Sequence, residues 1–276
     1  MRTMILTIVL FAVAPLSLAI AGDGSYKGPV FDTHLHYSKE AWPVYLPKDV
    51  LEKMDLAKVK SALVSSTPDS GTEKLLAVAP QRLVPGLRPY RTPTEKVRWY
   101  RSQDMVAYSQ ARLKTLRHKA FGEVILWFAQ DLETPQMLQY LDLAAEQNMV
   151  MHLHTNSRVV EALFKMRPGL KVLWAHAGFD EPPDVIARML DQYPNLSAEL
   201  SYRAEHIMGA DDVEPEWKEL LVRHADRFTV GSDTWENDRW SIYKYLIDQH
   251  REWLGKLPDK VAQKIAYENA RTLFME

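Results

Sequence analysis

The chain has 276 residues, of which 34 are Lys or Arg, 36 are Asp or Glu and 9 are His, giving a formal net charge of −2 at pH 7. This balance offers no concentrated basic face, so no nucleic-acid partner is expected. The absence of cysteine excludes disulfides, cysteine nucleophiles and lipid attachment to an N-terminal cysteine. A hydrophobic content of 46% is enough for the core of one large α/β domain.

Residues 1–21 have the features of a secretory signal peptide. Arg2 carries the only early charge, residues 4–20 are apolar or small, and A-I-A at positions 19–21 has the form of a cleavage site. We therefore predict an exported protein, and the lack of cysteine favours a bacterial periplasm.

Cleavage after this peptide would leave residues 22–276 as the mature domain, with no membrane association. An uncleaved membrane anchor is the alternative interpretation. It is disfavoured because the apolar run is short for a full span and Pro15 interrupts it.

Eight short apolar runs rich in Val, Leu, Ile or aromatic residues follow, and each is predicted to be a strand buried on both faces. They cover residues 30–36, 59–66, 82–89, 121–128, 149–154, 171–176, 196–201 and 228–233.

Stretches with helical spacing separate these runs. The clearest cover residues 94–117, 134–147, 183–192, 214–225, 238–254 and 258–274. Eight strands alternating with helices in about 250 residues predict a single-domain α/β protein of the (β/α)8 TIM barrel type. The competing doubly wound sheet would have fewer strands and a G-x-G-x-x-G turn after the first, and that motif is absent.

Histidines and an aspartate stand at the ends of four predicted strands. His34 and His36 close the first strand in VFDTHLHY, and they point the same way because strand side chains alternate. His154 closes the fifth strand, His176 the sixth and Asp233 the eighth. Barrel active sites lie at the carboxyl ends of the strands, so we expect all five at one mouth. Three imidazoles and a carboxylate from this set would suit a divalent transition metal such as zinc.

The motifs F-D-T-H-L-H, H-T, A-H-A-G, G-S-D and E-N-A-R-T-L-F, in this order, resemble those of the amidohydrolase superfamily. Within it, the chain is similar to the amidohydrolase-related branch, which holds carboxymuconate-semialdehyde decarboxylases and several sugar and dicarboxylate lactonases. The resemblance covers essentially the whole mature chain. It implies a metal-dependent barrel enzyme with its metal site at the carboxyl-terminal face.

The resemblance also implies a role for each of these residues. His34, His36, His154 and Asp233 correspond to the metal ligands of the family. His176 corresponds to the histidine beside the metal that orients or protonates the reacting group. Asp233 is placed to take the proton of the attacking water and deliver it to the leaving group.

The fourth predicted strand leaves one metal ion or two unresolved. The family carries there a carboxylated lysine in two-metal members, a glutamate in TatD-type nucleases and neither in many one-metal members. This strand has no lysine, but its Glu123 resembles the nuclease glutamate. Since Glu123 falls near the beginning of the run 121–128, a buried structural carboxylate is the alternative to a ligand.

Several other polar residues lie near these positions. His152 is predicted either to be packed beneath His154 or to support a metal ligand from behind. Asp32 either orients a ligand imidazole or caps a turn. Three of the remaining histidines are predicted to lie on the surface: His118, His224 and His250. The fourth, His206, follows the seventh predicted strand and could line the mouth.

Arginines and aromatic residues follow several strand ends and bear on the substrate. Arg88 and Arg203 favour a carboxylate or phosphate, which guanidinium groups bind with two hydrogen bonds. Tyr90, Tyr202 and Trp235 would add flat walls. Because of these arginines, we predict an anionic small-molecule substrate. The alternative is that the arginines pair with nearby acids and the aromatic residues pack internally.

These features predict a metal-dependent hydrolase of a cyclic ester, amide or related bond, with zinc as the expected divalent metal. A non-oxidative decarboxylase of the same fold is the first alternative, distinguished by release of carbon dioxide instead of acid. An exported non-catalytic protein that binds metal or solute is the second, and the dispersal of the ligands over separate strands argues against it. A homo-oligomer is compatible with the sequence.

Overall fold

The structure, a computed structural model, describes residues 24–276. The predicted signal peptide, residues 1–21, lies outside the described residues. Within the described part of the chain, every helix is too short or too polar to cross a membrane.

Eight parallel strands form one sheet in the order of the sequence, and its edges approach to form a nearly closed barrel. Thr33 N–H donates to Val230 O at 2.9 Å across the junction of the first and last strands. The predicted (β/α)8 barrel is confirmed. The strands are β1 Val30–Leu35, β2 Val59–Ser65, β3 Leu83–Leu87, β4 Ala120–Ile125, β5 Val150–His154, β6 Lys171–Trp174, β7 Leu196–Glu199 and β8 Phe228–Thr229.

Helices cover the outside of this sheet. Local signals start several of them: Pro135 lies in the first turn of one, and the Asn156 side chain accepts the Val159 N–H at the start of the next. The helices are α1 Pro47–Leu56, α2 Ser70–Leu76, α3 Gln103–Thr115, α4 Pro135–Glu146, α5 Ser157–Met166, α6 Pro183–Gln192, α7 Ala204–Ile207, α8 Pro215–Arg223, α9 Asn237–Ser241, α10 Tyr243–Leu254, α11 Asp259–Gln263 and α12 Asn269–Met275.

An apolar cluster closes the amino-terminal end of the barrel. The last helix, α12, lies across this end and packs against side chains from inside the strands. The cluster consists of Phe31, Leu63, Val84, Ala120, Val150, Leu173, Ala270 and Phe274. Because this end is filled by apolar groups, the polar interior residues are concentrated at the opposite, carboxyl-terminal end.

The predicted helix 94–117 is wrong in its first half. Two 3-10 turns, Pro93–Val97 and Trp99–Arg101, precede α3. Trp99 is fully buried and donates through its indole N–H to Ile125 O at 3.2 Å. This contact draws the segment inwards over the end of β4 and prevents a continuous surface helix.

The predicted surface placement is also wrong for three histidines. His118, His224 and His250 are all buried. His118 Nε2 lies 3.1 Å from the Asp69 carboxylate, so this ring nitrogen has a hydrogen-bond partner in the interior. His206 is exposed on α7.

Candidate metal centre

The two histidines of β1 are held through one ring nitrogen each. His34 Nδ1 lies 2.8 Å from Glu199 Oε2, and His36 Nδ1 lies 2.7 Å from Ser65 O. A main-chain carbonyl only accepts, so the proton of neutral His36 is on Nδ1 and its Nε2 carries a lone pair. This is how metal-binding histidines are oriented by the groups behind them.

Both Nε2 atoms point at the same pair of carboxylates. His34 Nε2 lies 3.4 Å from Glu123 Oε2 and 3.3 Å from Asp233 Oδ1. His36 Nε2 lies 3.3 Å and 3.2 Å from the same two oxygens. All four side chains are buried, and we call them the deep group: His34, His36, Glu123 and Asp233.

A second set of ligand atoms adjoins the first. Glu123 Oε1 lies 2.9 Å from His154 Nδ1 and 3.5 Å from His176 Nε2. We call Glu123, His154 and His176 the rim group. The two groups share Glu123, which directs one carboxylate oxygen towards each.

The position predicted for Glu123, near the beginning of its strand, is wrong. β4 ends at Ile125 instead of extending to 128, and its pairing with β5 shifts register between Gly122 and Val124. Glu123 is the extra residue of this bulge, which re-aims its side chain into the barrel. Gly122 permits it, because its φ is +123° and a Cβ there would lie 2.1 Å from His152 O.

Glu199, at the end of β7, is a site residue that the sequence reasoning missed. Its buried carboxylate accepts from Ser201 N–H and from Ser201 Oγ at 2.9 Å, as well as bonding His34. Burial alone would raise the pKa of Glu199, but the His34 ring holds that pKa at about 2. The strand-end argument applied to β1 and β8 would have found it.

Charge in the deep group is unbalanced without a cation. Burial lowers the pKa of His34, but Asp233, Glu123 and Glu199 together raise that pKa well above its ordinary value. The carboxylates therefore require positive charge at this point, and the Arg88 guanidinium, 2.6 Å from Glu123 Oε2, supplies part of it.

Arg88 and Tyr90 lie behind Glu123. Arg88 Nη2 donates to Glu123 Oε2 at 2.6 Å and lies 3.1 Å from His36 Nε2. Tyr90 Oη donates to the main-chain O of Glu123 at 3.1 Å. Both side chains are buried, so their geometry suits positioning of Glu123 better than the predicted contact with substrate.

Asp32 and His152 are buried side chains that lie behind the candidate metal ligands. Asp32 accepts from His34 N–H and Ser232 N–H, each at 3.0 Å, and from Tyr243 Oη at 2.9 Å. Of the two roles predicted for Asp32, these contacts agree with capping of the backbone and not with a hydrogen bond to a ligand imidazole. His152 is buried with its ring 4.5 Å from that of His34, and burial lowers its pKa well below the ordinary value.

A cavity of about 280 Å³ opens onto both groups. Trp235 and Tyr202, two of the aromatic residues named above, line it, and so do three residues that the sequence reasoning did not select: Lys96, Ile125 and Phe179. A larger groove of about 880 Å³ between α6 and α8 lies outside the barrel and contains neither group.

Arg203 does not line this cavity. Its buried guanidinium donates to Glu181 O at 2.7 Å and lies 4.9 Å from the Trp217 ring. The structure therefore gives no support to its predicted contact with substrate.

The residues present fit a divalent cation. Among the described residues, His34 Nε2, His176 Nε2 and Asp233 Oδ1 are buried without a hydrogen-bond partner. Nitrogen and carboxylate donors of this kind bind divalent metals, and a cation would supply the missing positive charge. Binding at His36 would displace its contact with Arg88.

Comparison with known proteins gives the following relationships. The family description "Amidohydrolase" matches residues 93–275. The chain is similar to the structure of a candidate 2-pyrone-4,6-dicarboxylic acid hydrolase from Pseudomonas putida, with 18% identity and a TM-score of 0.61 over 89% of this chain and 97% of that one. It is also similar to YJJV, a TatD homologue from Escherichia coli K12, with 18% identity and a TM-score of 0.56 over 90% and 98% of the two chains.

A third similar structure is A. niger ochratoxinase, with 11% identity and a TM-score of 0.50 over 91% of this chain and 71% of that one. Likenesses at such low identity establish the fold alone. No curated protein matches. The family match covers more than half of the sequence, and the chain therefore belongs to the amidohydrolase family.

Proposed function

We propose that the protein is a metal-dependent hydrolase that cleaves a cyclic ester, amide or related bond in a small anionic molecule. The observation that carries this proposal is the placement of the deep and rim groups, joined by Glu123, at the floor of an open cavity. Membership of the amidohydrolase family supports hydrolase chemistry.

Two cations, zinc in this proposal, would be held by the two groups. His34, His36, Glu123 and Asp233 would bind the first. His154 and His176 would bind the second together with the other oxygen of Glu123. When bound, such a cation supplies a Lewis acid that polarises the oxygen under attack and lowers the pKa of water to about 7.

Asp233 is the proposed proton carrier. Its Oδ1 accepts no hydrogen bond among the described residues, and its side chain lines the cavity. Neighbouring His34 and His36 keep its pKa below the ordinary value against the effect of burial, so the group is ionised and can accept a proton from attacking water. The same group would return that proton to the leaving group.

His176 has a tautomer that suits metal binding. Ser201 Oγ donates to Glu199, so at 2.8 Å it accepts from His176 Nδ1, and the Nε2 of the neutral ring carries a lone pair. This favours a ligand over the predicted proton donor, because donation from Nε2 would need the imidazolium form.

The proposed substrate class is supported by the cavity and by one similar structure. The name of the Pseudomonas putida protein describes hydrolysis of a 2-pyrone, which is a cyclic ester, bearing two carboxyl groups. The cavity of this chain combines a lysine with three aromatic side chains. A small acidic lactone would meet both kinds of surface.

Metal analysis combined with a substrate panel tests this function. The purified protein is analysed for bound metal and then incubated with 2-pyrone-4,6-dicarboxylate, other acidic lactones and cyclic amides. We expect ring opening, measured as released acid, that stops after chelation and returns with zinc. Carbon dioxide release without ring opening would favour the decarboxylase, and metal retention without turnover would favour the binding protein.

We also propose export to a bacterial periplasm, on the basis of residues 1–21 alone. Fractionation of cells that express the whole sequence, followed by mass measurement of the recovered protein, tests this. Mature protein beginning at residue 22 in the periplasmic fraction is the expected result, and full-length protein retained in the cytosol would contradict it.

A further inference from the structure

The cavity above the metal groups is small and has two unlike sides. Its volume of about 280 Å³ is at the lower end of the roughly 300–1,000 Å³ typical of ligand pockets, so it suits a ligand of about one ring. Three aromatic residues, Phe179, Tyr202 and Trp235, line the cavity. Lys96 also lines the cavity and, among the described residues, is its one positively charged lining residue.

The aromatic side is partly open to solvent and internally braced. Phe179, Tyr202 and Trp235 are 39%, 38% and 51% exposed. The rings of Phe179 and Tyr202 stack with centroids 5.6 Å apart, and Trp235 Nε1 donates to Tyr202 Oη at 2.8 Å. Adjacent exposed aromatic groups that hold one another in place form an apolar patch of the kind that marks ligand sites.

Lys96 is half-buried, and its side chain makes no hydrogen bond or ion pair with the described residues. Burial lowers its pKa, as does the charge of Arg88, whereas Glu123 and Asp233 act in the opposite direction. If those two carboxylates are engaged by cations, Lys96 lines the cavity without a counter-charge.

We propose that Lys96 is a specificity-determining residue, which binds a carboxylate of a flat, conjugated-ring acid whose ring lies against Phe179, Tyr202 and Trp235. This inference rests on the proposed function and narrows its substrate class. Such a ligand would receive a charge-assisted hydrogen bond at one end and aromatic contacts along its ring, stacked or edge-to-face.

Isophthalate, a flat dicarboxylate that offers no bond for hydrolysis, is the probe. Its binding to the zinc-loaded protein is measured by titration calorimetry for the unmodified chain, Lys96→Met, Lys96→Arg and Arg98→Met. Arg98 is the matched control, since it is an exposed cation two residues away that does not line the cavity. Zinc content and thermal melting of each variant confirm that the site and fold persist.

We expect Lys96→Met to weaken isophthalate binding about tenfold or more, as loss of a hydrogen bond to a charged group predicts. Lys96→Arg should retain most of the affinity, and Arg98→Met should match the unmodified chain. Neutral dimethyl isophthalate should bind weakly and without dependence on Lys96. Equal affinity of Lys96→Met and the unmodified chain, or no saturable isophthalate binding at all, would overturn the proposal.

The flatness of the ligand is tested separately. Cyclohexane-1,3-dicarboxylate has the same charge but a puckered ring, so it should bind less tightly than isophthalate. The difference in affinity between the two dicarboxylates should become smaller in Trp235→Ala. An unchanged difference in affinity would refute the aromatic contact.

The two proposals fail in distinguishable ways. Lys96-dependent binding by a protein that hydrolyses no lactone or amide would refute the hydrolase and spare the binding site. Zinc-dependent hydrolysis with Lys96-independent binding would support the hydrolase and refute the role of Lys96.

Discussion

The deep and rim groups share one carboxylate but are built differently. The deep group is carried by β1, β4 and the segment after β8, and its side chains are almost completely buried. The rim group adds His154, whose side chain is 16% exposed, and His176, which lies on a turn after β6. His34, Glu123 and His154 lie on strands, His36 directly follows β1, and loop conformation positions Asp233 and His176.

The rim turn is held in an unfavourable backbone conformation. His176, Ala177, Gly178 and Phe179 have φ values of 57°, 47°, 81° and 65°, and only one of them is a glycine. Each non-glycine residue there costs of order 1–3 kcal/mol unless its surroundings compensate. The contacts of His176 with Ser201 and of Phe179 with the His154 ring, 5.4 Å between centroids, provide such compensation. Asp233 of the deep group shares a left-handed φ, 48°, but that group offers four buried ligands against three in the rim group. We therefore expect tighter cation binding in the deep group.

The largest effect should follow removal of a deep-group ligand. In His36→Ala or Asp233→Asn, we expect loss of the deep-group metal and a fall in kcat/KM greater than the ~10–100-fold cost of removing an outer hydrogen-bonding partner. Metal analysis and lactone or amide hydrolysis measure both. His206→Ala changes an exposed histidine and should have no effect. Full activity in metal-stripped His36→Ala protein would refute the scheme.

Arg88→Met tests how the shared carboxylate is balanced. In metal-stripped protein, it removes the guanidinium from buried Glu123, and an uncompensated buried charge costs about 3–5 kcal/mol. Urea unfolding should show that loss in chelator and a smaller loss in saturating zinc, because the cation supplies the charge. Equal losses in the two conditions would show that Glu123 does not bind the metal.

Gly122→Ala tests the bulge that brings Glu123 to both groups. The added Cβ would lie 2.1 Å from a main-chain oxygen at a left-handed φ, so we expect a loss of about 1–3 kcal/mol or more and a reduced zinc stoichiometry. Gly169→Ala is the matched control, because a Cβ there meets nothing within 4 Å. Similar unfolding curves for the two variants would contradict this account of the bulge.

The smallest effect on the deep group should come from His154→Asn. Loss of this partly exposed ligand should weaken the second zinc ion and leave the first bound. Zinc titration followed by calorimetry would show one tight site in place of two. Unchanged stoichiometry would mean that the rim histidine serves substrate instead of metal.

The extent to which the sequence predicts this molecule differs between strands and loops. The eight strand positions and the convergence of His34, His36, His154 and Asp233 follow from apolar runs that end in polar residues. Glu123 was misplaced because a bulge adds one residue without leaving a clear mark in the hydrophobic pattern. Lys96 was missed because its segment has helical spacing, although buried Trp99 breaks the helix.

The outer contacts were still harder to predict. Arg88 was recognised as an anion-binding side chain, but a sequence does not say that its anion is Glu123 of the same site. Arg203 has the same local pattern and lies against Trp217 instead. Such pairings depend on how neighbouring loops fold over the barrel, which is a long-range property.

The floor and seam of the barrel bear on how the chain reaches its final state. Phe274 packs against Phe31 with ring centroids 6.2 Å apart, and the Asn269 side chain donates to Phe228 O at 2.8 Å. Contacts between such distant parts of a chain form late, since closing a long loop is entropically costly. β1 can pair with β2 early in synthesis, but it remains without its partners across the seam and the floor until β8 and α12 have been made. Closure of the seam and floor is therefore expected to be a late step of folding.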